Sequence, residues 1–218
     1  MRWMGWMVFA SVALASDVRL SDMSRLEFEN AKASQVNYKG KPALKMLEEK
    51  GAGPRGSGAL AQLKGVTFRD GVIEVDVAGL PIPNATPTAR GFIGVVFRVA
   101  PGNHFENFYL RPTNGRAEDQ EMRNHSVQYT AGPEWGWRKL RETNPFKYES
   151  YADMVAGEWI HMKVVVQGKT ARLFVGNAAQ PCLVVNDLKN GDSEGAVALW
   201  IGPETEGYFR NVKVTASK

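Results

Sequence analysis

The chain is poor in the residues from which most reactive sites are built: its 218 residues include one cysteine and three histidines. Cys182 has no internal partner, which excludes a disulfide framework. It lies in the apolar segment Cys182-Leu183-Val184-Val185 and reads as a small buried hydrophobe, not a nucleophile. His104, His125 and His161 show no metal-ligand spacing, and no Gly-x-Ser-x-Gly elbow, phosphate loop or dinucleotide fingerprint occurs. Charge of one sign is scarce as well. Lys and Arg number 27 against 23 Asp and Glu, a net charge of +4. No basic run or aromatic-interleaved basic stripe appears, which argues against nucleic acid as a partner.

A long apolar run is missing everywhere except at the start. MRWMGWMVFASVALASD carries Arg2, then an uncharged stretch from Trp3 to Ala15, and Ala13-Leu14-Ala15 offers the small-x-small pattern of a signal-peptidase site. Residues 1–15 are therefore expected to be a secretory signal, too short and wrongly flanked for a spanning helix. The mature chain would be secreted or periplasmic, with no membrane span after signal removal. Residues 16–218 are expected to form one domain, a common size for a sandwich or barrel.

What the sequence does have is period-two alternation punctuated by 22 Gly and 11 Pro. Gly71-Val72-Ile73-Glu74-Val75-Asp76-Val77 alternates apolar and acidic residues, and Gly91 to Val99 is a longer, mostly apolar strand. Further strands are expected at Phe105 to Arg111, Ser126 to Tyr129, Glu134 to Trp137, Trp159 to Gln167, Ala171 to Val175, Cys182 to Val185, Ala196 to Ile201 and Tyr208 to Val214. Turn residues such as Gly168-Lys169 and Asn190-Gly191-Asp192 separate them. No window of a dozen residues carries a helical period. The expected fold class is all-β, a two-sheet antiparallel jelly-roll sandwich, with a closed barrel as second choice. Residues 138–157 form a long connection of the kind that carries function or covers something.

Alternation also nominates site residues. If Ile93, Val95, Phe97 and Val99 are core, Phe92, Gly94, Val96 and Arg98 face the other way. On the next strand, alternation sets His104, Glu106, Phe108 and Leu110 against Phe105, Asn107, Tyr109 and Arg111, and periodicity leaves open which set faces outward; the second has the chemistry of a recognition surface, and Glu106 is a candidate buried partner of an arginine. Trp135 and Trp137, one residue apart, would project from a strand to the same side, where indoles stack on sugar rings. Gln128, Tyr129, Tyr148 and Tyr151 would extend that surface. Trp159 and Trp200 read as structural. Glu74 and Asp76 give only half of the Glu-x-Asp-x-x-Glu signature of family 16 glycoside hydrolases, so an ordinary solvated strand face is the better reading. Asn190-Gly-Asp192-Ser-Glu194 has oxygens suited to calcium (Ca2+), but a plain polar turn is preferred and no cofactor is predicted.

Three groups of segments then carry a resemblance. They are Phe68 to Val77 with Gly94-Val-Val-Phe-Arg98 and Phe105-Glu-Asn-Phe-Tyr-Leu-Arg111; Gly157 to Val166 with Gly168 to Val175; and Gly195 to Gly202 with Tyr208 to Val214. Together they resemble the concanavalin A-like lectin/glucanase superfamily, particularly its laminin-G-like and 3-keto-disaccharide hydrolase branches. In the latter branch a Gly-x-x-x-Arg strand precedes an aromatic-Glu pair. The resemblance therefore implies Arg98 and Glu106 as catalytic candidates, although Gly91-Phe92-Ile93 departs from the small polar residues usual there. The preferred reading is extracytoplasmic carbohydrate recognition on one sheet face, using Arg98, Tyr109, Arg111, Gln128, Trp135 and Trp137 as ligand-binding residues. The alternatives are a glycoside or 3-keto-disaccharide hydrolase and a laminin-G-like protein-binding module.

Overall fold

A computed structural model of the chain describes residues 14–49 and 58–217. In chain order the strands begin with β1 (Leu14–Val18), β2 (Leu26–Glu29), β3 (Ala31–Tyr38), β4 (Lys41–Glu48), β5 (Ala59–Phe68), β6 (Gly71–Pro81), β7 (Ile93–Ala100) and β8 (His104–Leu110). The rest are β9 (Val127–Gly132), β10 (Glu149–Ser150), β11 (Ile160–Gln167), β12 (Thr170–Val175), β13 (Leu183–Val185), β14 (Gly195–Ile201) and β15 (Thr205–Ala216). Two short helices, α1 (Gln120–Asn124) and α2 (Trp137–Thr143), interrupt them. Most of the expected signal falls on residues 1–13, outside the described residues; β1 begins two residues before Ser16.

The strands form two antiparallel sheets. One runs β13-β12-β11-β6-β15-β4-β3, with β1 also on β15; the other runs β10-β9-β8-β7-β14-β5-β2. Side chains that alternate along each strand fill the space between them. From the first sheet come Ile73, Val75 and Val77 of β6 and Met162, Val164 and Val166 of β11; from the second come Ile93, Val95 and Phe97 of β7 and Phe108 and Leu110 of β8. Phe97 stacks on Phe108 and meets Phe68 edge-on, both at 6.2 Å between centroids. The all-β sandwich expected from the sequence is the fold observed.

The region after β9 differs from expectation. Glu134 to Trp137 is not a strand. Gly132-Pro133 turns the chain, so that Trp135 makes a single bridge back to Ala131, its N–H and C=O each bonded within 3.0 Å. Gly136 then caps α2, which opens on Trp137. The long connection 138–157 accordingly holds most of α2 and all of β10, the edge strand of the second sheet. Cys182 is half-buried and donates to Leu173 O, and burial raises its thiol pKa to about 11, which keeps it protonated and unreactive.

Candidate functional site

On the outer face of the second sheet, one cross-strand row spans all seven strands. Paired residues run Glu29, Leu60, Trp200, Gly94, Tyr109, Gln128 and Glu149 from β2 to β10. Side chains of directly paired residues share a face, so this order alone places the chemistry. Gly94 sits at the centre. A Cβ there would lie 2.1 Å from Phe108 O and 2.6 Å from Tyr109 Cα. With no side chain between them, Tyr109 and Trp200 close over the gap at 5.0 Å between ring centroids, and Phe92 meets Tyr109 edge-on at 6.1 Å.

Above this floor lies a cleft of about 670 Å³, within the range of small-molecule sites. Its apolar half is lined by Leu60, Phe92, Val96, Phe105, Tyr109 and Trp200, and Trp137 of α2, 41% exposed, stands at its edge.

The other half is ionic. Arg111 is 6% exposed and its terminal nitrogens donate to four acceptors: His125 O at 2.8 Å, Glu149 Oε1 at 3.1 Å, Tyr109 OH at 3.0 Å and Gln128 Oε1 at 2.8 Å. Its guanidinium also lies over the Tyr109 ring at 5.1 Å. Arg141 of α2 donates to both oxygens of Glu149, so the helix that carries Trp137 is pinned to β10 through that carboxylate. His125 Nδ1 lies 3.1 Å from Glu149 Oε2 but is not aligned for a hydrogen bond. Burial lowers the His125 pKa, which favours the neutral imidazole.

Burial by itself would raise the Glu149 carboxyl, but the Arg141 hydrogen bond and the neighbouring charge of Arg111 outweigh it and hold the pKa below the ordinary 4.5. A depressed folded-state pKa adds stability that is in full force above 4.5 and is lost as pH falls through the folded value. Wild type should therefore melt higher than Glu149→Gln at pH 6, with the gap closing below pH 4.5. A gap that stays constant across a melting series from pH 6 to pH 3 would refute the account.

Arg98 is not on this face. Between Phe97 and Ala100, β7 carries an extra residue relative to both neighbours: Val96 and Val99 pair with Ala198 and Ala196, and Phe97 and Ala100 with Glu106 and His104. Arg98 takes up the bulge at φ 54°, and the alternation slips by one. Val99, expected in the core, joins Val96 and Leu60 on the outer face. Arg98 turns inward and is 1% exposed. It donates to Arg69 O at 2.9 Å, Gly191 O at 2.8 Å, Gly168 O at 2.8 Å and Asp70 Oδ1 at 3.0 Å. It stitches together three chain reversals at one end of the sandwich.

Glu106 also faces inward, because its cross-strand partner Phe97 is core. It is fully buried, accepts the Tyr129 hydroxyl and accepts Asn190 N–H at 2.9 Å. Burial raises its pKa. The expected Arg98–Glu106 catalytic pair is thus corrected to two separate interior anchors, with the sheet between them and the cleft. Trp135 is corrected too: it packs against the core cluster, and Lys139 and Lys189 lie over its ring at 4.4 and 4.8 Å. Tyr129 and Tyr148 are core residues, and Tyr151 binds Arg123 at the surface.

In the turn considered for calcium, Asn190 and Asp192 are engaged by protein groups. Asn190 Nδ2 donates to Phe105 O and Gly132 O, and Asp192 receives Arg69 in a bidentate pair. Among the described residues no cluster of His, Cys, Asp and Glu is placed to hold a metal. Glu74 and Asp76 lie on the outer face of the first sheet, where Asp76 takes Arg210, Asn211 and His161.

Of the expected site residues, Tyr109, Arg111, Gln128 and Trp137 meet at the cleft or directly beneath it. Trp200 was assigned a structural role and lines it; the alternation of Ala196, Ala198 and Trp200 against Val197, Leu199 and Ile201 was the available signal. Asn107 also lines it.

No family model matches the chain, and no curated protein matches it in sequence. Solved structures match it in shape. A Bacillus subtilis protein of unknown function with a galectin-like fold superposes at TM-score 0.59, with 11% identity, over 94% of this chain and 99% of its own. The carbohydrate binding module CBM66 from Bacillus subtilis gives TM-score 0.54 and 11% identity over 86% of this chain and 96% of its own. A mutant of the Emp46p carbohydrate recognition domain gives TM-score 0.51 and 11% identity over 90% and 89%. The fold is therefore a β-sandwich of the concanavalin A-like type, and this chain carries a ligand-sized cleft on one sheet face. Among the described residues no helix is long and apolar enough to cross a membrane.

Proposed function

We propose that this chain is an extracytoplasmic carbohydrate-recognising domain that binds a glycan in the cleft on the outer face of its second sheet. The observation that carries the reading is the row centred on Gly94. It puts the Tyr109 and Trp200 rings side by side at the floor, with Trp137 at the edge and Arg111, itself anchored on Gln128, donating to the Tyr109 hydroxyl. Apolar C–H faces of a sugar stack on such rings while nearby amides and charges take its hydroxyls. The fold likeness to CBM66 and to the Emp46p carbohydrate recognition domain supports a sugar ligand. The extracytoplasmic assignment is supported by the signal pattern of residues 1–15. Glu106 faces the interior, so the reading is of binding.

Titration calorimetry against a panel of oligosaccharides tests this. Trp137→Ala should weaken the best-binding sugar about tenfold and change the unfolding free energy by less than about 0.5 kcal/mol, since the ring is exposed. Trp135→Ala should do the reverse, costing about 2 kcal/mol of stability with affinity retained. Failure of every saccharide to bind, or full affinity in Trp137→Ala, would remove this function from the cleft.

A further inference from the structure

Three arginines line the cleft, and two of them are committed to the protein. The four terminal N–H groups of Arg111 are matched by four internal acceptors. Arg141 gives Nε and Nη2 to the Glu149 carboxylate. Arg90 differs. It is half-buried in the loop between β6 and β7, and its hydrogen bonds come from Nη1, which donates to the carbonyls of Pro87 and Ala89. Its Nε–H and Nη2–H groups have no acceptor among the described residues.

That unused edge is held in place. The two Nη1 bonds fix the guanidinium against its own loop, and the Arg90 carbonyl accepts Thr113 N–H at 3.3 Å, which ties the main chain to the 3-10 turn Pro112–Asn114. Nε–H and Nη2–H lie parallel on one side of the planar group, spaced to meet two oxygens of a single anion. A fork already immobilised loses little further freedom when a ligand docks.

The acids of the lining are directed elsewhere. Glu204 accepts the N–H and hydroxyl of Thr86, and Asp119 caps α1 by accepting Met122 N–H. The Glu121 side chain is 85% exposed, where salt screens its charge, and Glu29 belongs to β2, three strands from β7. Glu149 takes Arg111 and Arg141 together, one negative charge against two positive ones.

Resting on the carbohydrate reading above, we infer that the glycan is acidic and that the Nε–Nη2 edge of Arg90 grips two oxygens of its anionic group, a uronate carboxylate or a sulfate ester. The Tyr109 and Trp200 rings take the C–H face of the sugar, and Arg90 supplies the selection. A hydroxyl of a neutral sugar accepts from one N–H and brings no charge, so it gains less from this edge than a paired oxyanion does.

The test is titration calorimetry of the full chain with galactose and glucose oligosaccharides in matched neutral, uronate and sulfated forms. Wild type should bind one acidic form at least about tenfold more tightly than its neutral counterpart, and the form that binds names the anion. Raising the salt from about 50 to about 500 mM should weaken that probe severalfold and leave the neutral one unmoved. Arg90→Gln should bring the acidic probe down to the affinity of the neutral one, and Arg90→Lys, which keeps the charge without the fork, should retain part of the preference. Should Arg90→Gln fail to fold, Arg90→Lys and the salt series on wild type carry the test. A merely structural role for Arg90 would lower the melting temperature and weaken acidic and neutral probes alike. That result, neutral forms binding as well as acidic ones, or an acidic preference retained in Arg90→Gln would overturn the inference with the carbohydrate reading intact. No binding by any probe to wild type would overturn both.

Discussion

Replacing Arg98 with methionine should lower the unfolding free energy by about 3–5 kcal/mol, the range found when one member of a buried ionic network is deleted. The guanidinium has no exposed surface in its side chain, and it donates to three backbone carbonyls from separate turns as well as to Asp70. Methionine fills part of the space but leaves those carbonyls without a donor. Lysine keeps the charge yet cannot fan N–H groups toward four acceptors, so Arg98→Lys should fall between. Arg98→Gly separates side chain from backbone. At φ 54° a residue other than glycine is strained by about 1 kcal/mol, so Arg98→Gly should be less damaging than Arg98→Ala by about that amount. Urea denaturation of the series decides the matter. If Arg98→Met unfolds at the wild-type midpoint, the residue is not a structural anchor, and its burial needs another explanation.

Gly94→Ala should be the second large effect, costing about 3 kcal/mol of stability and abolishing binding in the cleft. The added methyl group would sit 2.1 Å from the Phe108 carbonyl oxygen, a backbone atom that cannot swing aside. β7 and β8 would have to part where Tyr109 and Trp200 meet, which displaces the floor of the cleft. Gly136→Ala is the matched control. Gly136 lines the same cleft, but a Cβ there meets nothing within 4 Å, so the substitution should cost no more than the loss of a good helix N-cap, about 1 kcal/mol, and leave binding intact. Equal effects from the two substitutions, measured by unfolding and by calorimetry, would mean that the contact geometry at Gly94 does not matter.

Much of the fold could be read from residue order because alternation is a local property. The runs Gly71 to Val77 and Ile160 to Gln167 declare which side chains go inward, and the structure follows them. β3 was missed because Ala31 to Tyr38 is a polar edge strand with no fully buried residue, so it lacks the apolar period that marks a strand. α2 was missed because its seven residues bury only Leu140, too short a stretch to show a helical period. Within the cleft, the set Phe105, Asn107, Tyr109 and Arg111 was separable from Phe108 and Leu110 by parity, and the structure turns that set outward.

Parity failed where something non-local reset it. One extra residue at Arg98 exchanges the faces of everything after it in β7, and sequence alone does not announce a bulge without a glycine. Trp135 and Trp137 share a face only if the chain between them is extended, and the Gly132-Pro133 turn and the Gly136 cap prevent that. Glu106 is hidden because the loop carrying Lys189 and Asn190 closes over that end of the sandwich and satisfies its carboxylate network.

By itself, then, the sequence determined the all-β class, the inward and outward faces of most strands, and the lack of a disulfide framework or of a motif for nucleophilic or nucleotide chemistry. Each of these follows from residue type and from spacing over a few neighbours. Only the tertiary structure decided which outward residues meet. Leu60, Trp200, Gly94, Tyr109, Gln128 and Glu149 come from six strands scattered through the chain, and they form one row because strand order and register, properties of the whole sheet, set them side by side.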